Sequence, residues 1–78
     1  MFLEIITPDK KIYSGDVKSV QLPGTEGSFG ILNNHASLIS TLKNGKIKVV
    51  DEKQATQLFD IKGGVVEVLN NKIIVLAE

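Results

Sequence analysis

Period-two alternation, broken every few residues by turn-forming pairs, is the feature that most restricts this chain. In residues 2–7, Leu3, Ile5 and Thr7 share one face, and Phe2, Glu4 and Ile6 share the other. Pro8-Asp9 marks a turn, and residues 11–15 can return as a second strand. Residues 16–22 then run with Val20 and Leu22 on one face and Val17 on the opposite one, until Pro23-Gly24 stops them. Residues 36–42 lead into Lys43-Asn44-Gly45, and Asn-Gly is favoured where both turn residues need φ > 0. Beyond it, Ile47 and Val49 alternate with Lys46 and Lys48. Ala55, Gln57, Phe59 and Ile61 then oppose Thr56, Leu58 and Asp60. Gly63-Gly64 breaks that run. The final two runs flank Asn70-Asn71, a two-residue hairpin signal. The last of them, residues 72–77, is apolar on both faces, which predicts a central or covered strand.

Helical periodicity is missing. The only candidate, residues 52–58, is weakened by its Thr and Gln. The pattern predicts roughly eight to ten short strands and an all-β fold, a small sandwich or flattened barrel.

Composition narrows the function. The 78 residues allow one domain, residues 1–78, and contain no cysteine, so neither a disulfide nor a thiolate site is available. Nine basic and nine acidic side chains cancel, which removes the electrostatic footprint of a nucleic-acid or anionic-membrane binder. One Tyr, three Phe and no Trp give no stacking platform for single strands. No apolar run is long enough to cross a bilayer, and the N-terminal residues do not read as a signal peptide, so the default expectation is a soluble cytoplasmic protein. A chain this small often gains stability from a partner.

The residues that could carry chemistry do not assemble into a known device. Gly24, Gly27 and Gly30 read G-x-x-G-x-x-G, which matches neither a P-loop nor a dinucleotide fingerprint, and no Lys or helix follows. They read instead as turn and strand-bend glycines. His35 has Ser28, Ser37 and Ser40 near it in sequence, and in a strand His35 and Ser37 would share a face. Asp51-Glu52 reads as a solvated turn, and the lysines as edge charges. The inventory therefore predicts no catalytic, cofactor-binding or metal-binding residue, and no cofactor. Two alternatives remain open: a free β-sandwich module binding a small ligand or carbohydrate, and a small hydrolase using His35 with Ser37.

Residues 22–49, LPGTEGSFGILNNHASLISTLKNGKIKV, resemble the signature of the epsilon subunit of F-type ATP synthases (called delta in mitochondria). That family shows a Gly-x-Glu-Gly-x-x-Gly-Ile-Leu run, met here by Gly24, Glu26, Gly27, Gly30, Ile31 and Leu32, and then a His-Ala-x-Leu run, met by His35, Ala36 and Leu38. The ending GGVVEVLNNKIIVLAE and the start LEIITPDKKIYSGDVKSV also match, so the resemblance covers essentially the whole chain. It departs at Ser28, where an acid is frequent, at Asn33-Asn34, where Pro-Gly is frequent, and at Ser37, where Pro is frequent.

The resemblance implies a sandwich of about ten short strands in two sheets. It implies a non-catalytic central-stalk subunit at the cytoplasmic face of the bacterial inner membrane, held there as a peripheral part of the complex. Such a subunit fastens the gamma subunit to the ring of c subunits and so couples ion-driven rotation to ATP synthesis. It maps c-ring contact onto Thr25, Glu26, Gly27, Ser28 and Phe29, with Phe29 either an exposed anchor or a core side chain. It maps gamma contact onto His35, Ala36, Leu38 and Leu42. Many members continue into a helical hairpin that can restrain ATP hydrolysis. The expectation here is that this helical domain is absent, because the sequence stops at Glu78, where it would begin.

Overall fold

Apolar residues two apart, such as Leu3 and Ile5, Ile47 and Val49, or Ile73 and Val75, converge on one core of 15 buried side chains. Each fully buried Val, Leu or Ile contributes about 1.5–3 kcal/mol over leaving it in water. The computed structural model describes residues Met1–Glu78. The strands that supply this core are β1 (Phe2–Ile6), β2 (Lys11–Gly24), β3 (Gly27–Leu32), β4 (Leu38–Leu42), β5 (Gly45–Asp51), β6 (Thr56–Ile61), β7 (Gly64–Leu69) and β8 (Lys72–Ala77). There is no helix, and residues 52–54 form a turn in which Asp51 Oδ1 accepts from the Lys53 and Ala55 amides.

The pairing runs β1-β8-β7-β4-β2-β5-β6, with β3 alongside β2, and β1 also pairs with β2. One layer holds β1, β8, β7 and β4 with the start of β2. The other holds β3, β5 and β6 with the end of β2. The two layers are one hydrogen-bonded sheet folded over, because β2 is a single strand of 14 residues that serves both. Its first half pairs with β1 and its second half with β3 and β5. Residues 11–15 and 16–22 were expected as separate strands; their fusion is one reason the strand count is eight. β8 is central, parallel to β1 and antiparallel to β7, as its two apolar faces predicted.

Where β2 crosses between layers, its register against β5 shifts between Val17 and Ser19. One extra residue there reverses the side-chain phase. Val17 therefore points inward with Val20 and Leu22, all three buried, rather than to the opposite face as simple alternation predicted.

The Asn70-Asn71 and Asn44-Gly45 turns behave differently. Asn70 and Asn71 take φ of 51° and 62° and close the β7–β8 hairpin as expected. Asn44-Gly45 does not close a hairpin: neither residue has positive φ, β4 pairs with β7, and β5 pairs with β2 and β6. Glycine is needed at 45 for space, since a Cβ there would sit 2.7 Å from the Pro23 Cβ.

Candidate docking surfaces

The glycine-rich stretch builds a hairpin tip. Gly24 pairs with Gly27, leaving Thr25 and Glu26 at the apex. Gly27 sits at φ 130°, where L side chains are strained, although nothing lies within 4 Å of the position a Cβ would take. A Cβ on Gly24 would come within 2.8 Å of the Phe29 ring. The ring thus lies over Gly24, half-buried and packed on the core. Phe29 braces the hairpin against the core while it also lines the open groove beside the tip. The tip is tied to β4: the Thr25 amide donates to the Thr41 carbonyl at 3.2 Å, and the two threonine hydroxyls meet at 2.9 Å. Thr25, Glu26, Gly27, Ser28 and Phe29 do come together, in an open groove that also takes in Ile39 and Thr41.

The four residues expected against gamma separate into two groups. His35 and Ala36 are exposed, in the loop after β3. The six residues of β3 hold this loop and the Thr25-Glu26 apex at opposite ends of the domain, about 20 Å apart at ~3.3 Å per residue. Leu38 and Leu42 have the wrong phase for contact. Leu42 is 5% exposed and belongs to the core, and Leu38 packs against it. The outward side chains of β4 are Ile39, 73% exposed, and Thr41.

Ile39 opens onto a surface that sequence reasoning did not assemble. Across β4, β7, β8 and β1, one outward row reads Thr41, Val65, Leu76, Ile6, and the next reads Ile39, Glu67, Ile74, Glu4. Val65, Leu69 and Leu76 are exposed with Ile39. These apolar side chains, with Thr41, Glu67 and Glu4 set among them, make this face a candidate interaction site. Its signal was present in residues 72–77, which are apolar on both faces. The partner strands could not be assigned before the topology was known.

Charge gathers at one side of that face. Lys11 Nζ lies 2.6 Å from Glu4 Oε2, and Lys72 Nζ lies 3.9 Å from Oε1 while facing the Phe2 ring at 5.8 Å. The hydrogen bond from Lys11, opposed by some desolvation and helped by both lysine charges, holds the Glu4 carboxyl below its ordinary 4.5.

The alternative readings find little to stand on. His35 Nδ1 lies 2.7 Å from the Ala36 carbonyl oxygen, an acceptor, so this ring nitrogen carries its proton and bonds backbone rather than a serine. Tyr13 and Phe59 pack edge to face with centroids 5.5 Å apart, both half-buried, and Phe29 packs on the core at the hairpin, so the rings do not converge on an open face. Burial raises the Tyr13 phenol, with Asp51 and Asp16 adding to the shift.

The domain is thus a small all-β module with a polar hairpin at one end and a largely apolar flank. The chain belongs to the ATP synthase delta/epsilon chain β-sandwich domain family, whose family model matches residues 1–78. Among curated relatives, the ATP synthase epsilon chain of Campylobacter curvus is 45% identical over 78 residues, all of this chain and 60% of that one. The ATP synthase epsilon chain of Caulobacter vibrioides is 41% identical over 78 residues, all of this chain and 90% of that one. The chain thus spans little more than half of some relatives and nearly all of others. In solved structures, a chain of the Euglena gracilis mitochondrial ATP synthase (OSCP/F1/c-ring) matches with TM-score 0.91 at 22% identity, covering 96% of this chain and 48% of that one. A chain of the Tetrahymena thermophila mitochondrial ATP synthase central stalk/c-ring matches with TM-score 0.83 at 22% identity, covering 99% and 62%. At that identity the likeness is one of fold.

Proposed function

We propose that this domain is the rotor-coupling part of an F-type ATP synthase epsilon subunit. It fastens the gamma subunit to the c-ring so that ion-driven rotation reaches the catalytic head, and performs no catalysis itself. It works at the cytoplasmic face of the bacterial inner membrane, held there through the complex. The observation that carries this reading is that one sandwich presents two unlike surfaces, which meet at Ile39 and Thr41 beside the hairpin tip. The polar tip, Thr25 to Ser28 braced by Phe29, suits the polar loops of a c-ring through hydrogen bonds. The apolar flank of Ile39, Val65 and Leu76, with the His35-Ala36 loop at its end, suits a larger protein surface such as gamma. Membership of the family, together with relatives named ATP synthase epsilon chain, supports the same assignment.

The test is co-purification of this chain with the gamma and c subunits of its own genome. Stoichiometric retention on gamma is expected, with loss of the c-ring when the tip residues Thr25, Glu26 and Ser28 are replaced by Ala together. A chain that passes over immobilised gamma without retention overturns the reading.

A further inference from the structure

The loop that carries His35 and Ala36 has few anchors of its own. Its residues from Asn33 to Ser37 are exposed, Asn34 is left-handed at φ 62°, and one backbone bond, from the His35 amide to the Leu32 carbonyl, closes the turn. It is tied to the rest of the domain from two places far away in sequence: the N-terminal ammonium lies 3.4 Å from Asn33 Oδ1, and one side-chain amide makes two shorter bonds. Asn71, in the β7–β8 turn, accepts through Oδ1 from the Asn34 amide at 2.8 Å and donates through Nδ2 to Asn33 Oδ1 at 2.8 Å. One amide group therefore reads both partners of the loop, an N–H and a C=O, in the donor-acceptor order that only Asn or Gln supplies. The turn itself does not require this. Its backbone asks for two residues tolerant of positive φ, and Gly would serve at either position. Asn70 fills its place with no side-chain hydrogen bond to the loop, so the amide at 71 has a task beyond the turn.

We propose that Asn71 is a positioning residue that holds the His35-Ala36 loop in the shape that docks on gamma. The proposal rests on the functional reading above, and concerns a residue outside the contact surface. By fixing the loop before association, Asn71 removes an ordering cost from binding.

The test compares Asn71→Gly, Asn70→Gly and Asn71→Asp in the full chain. Amide hydrogen exchange, thermal unfolding and affinity for the immobilised gamma subunit are read for each. In Asn71→Gly, exchange at the Asn34 amide speeds up at least tenfold and gamma affinity falls about threefold to tenfold, the size of one hydrogen bond's net contribution. Asn70→Gly leaves both unchanged, which separates the clamp from general turn effects. Asn71→Asp keeps the acceptor for the Asn34 amide but sets a carboxylate against Asn33 Oδ1, so Asn34 stays protected while affinity falls by an intermediate amount. In a His35→Ala background, Asn71→Gly costs less affinity than in the native chain, because the loop it positions has already lost its contact. Unchanged Asn34 exchange in Asn71→Gly overturns the clamp. Faster exchange with unchanged affinity overturns its role in docking. Failure of the native chain to bind gamma overturns the functional reading and the proposal with it, and the exchange data distinguish that case from the other two.

Discussion

The two outer faces of the sandwich are built from the same kind of strand and differ in what they leave to solvent. On the β4-β7-β8-β1 face, Val65, Leu76 and Ile6 lie side by side with Ile74 next to Leu76 along its strand, and Ile39 lies diagonal to Val65, with Thr41 and Glu67 between them. On the β3-β2-β5-β6 face, one row reads Gly30, Gln21, Lys48, Leu58, and Lys46 pairs with Asp60 at 2.7 Å. Leu32 and Leu58 are exposed there too, but each sits among polar or small neighbours. A scattered exposed leucine is ordinary on a protein surface, whereas adjacent ones across several strands leave a continuous area that gains by being covered. The lesson is that exposure of single residues does not identify an interface. Register does, because it decides whether exposed apolar side chains become neighbours.

The largest expected effect tests where that face begins. Leu42→Asp places an unpaired carboxylate in the core and costs about 3 kcal/mol or more, a large part of what so small a domain possesses. Its cooperative thermal transition is lost or falls well below that of the native chain. A native-like melting curve would return Leu42 to the surface and dissolve the division between core and flank.

Next in size, Ile39→Asp and Leu76→Asp each weaken gamma binding about 30-fold or more, the scale of a ~2 kcal/mol hot spot, and leave the melting temperature nearly unchanged. Leu58→Asp on the other face changes binding less than about twofold. Equal losses from Leu58→Asp and Ile39→Asp, measured by titration calorimetry, would mean that the two faces do not differ in function.

A smaller effect is expected at the hairpin tip. Gly27→Ala and Gly27→Val each cost about 1–3 kcal/mol in urea unfolding, because φ 130° is strained for any L side chain while space is free. Val should cost more than Ala, because a β-branched side chain is the more strained at positive φ. Losses for both within about 0.5 kcal/mol, the range of an ordinary surface substitution, would remove backbone strain at 27 from the account.

The smallest concerns pH. The Glu4 carboxyl is held below its ordinary 4.5 in the folded chain, chiefly by the Lys11 hydrogen bond. A depressed carboxylate contributes stability that is present above the unfolded value and lost as pH falls through the folded one. Stability of the native chain therefore declines in acid below about pH 4.5, and Glu4→Gln makes that decline shallower. An acid limb of unchanged steepness in Glu4→Gln would remove Glu4 from the account.

Much of this was legible in the sequence. Leu3 and Ile5, Ile47 and Val49, and Phe59 and Ile61 were legible as pairs that share a face, since a strand sends every second side chain the same way. Asn70-Asn71 announced its hairpin through two residues that tolerate positive φ. The Gly24 to Leu32 motif located the tip, although not the role of Phe29, because which way that ring turns depends on the space above Gly24.

The sequence by itself determined the all-β class, the phase of most strands and the position of the tip, because each of these follows from local spacing and turn chemistry. Only the tertiary structure decided that β2 serves both layers, that a bulge turns Val17 inward, that Leu38 and Leu42 face the core, and that Ile39, Val65 and Leu76 become neighbours. The physical reason is that alternation specifies two faces of a strand without saying which one is covered. That choice is made by strands far apart in the chain, through pairings whose register no local pattern encodes.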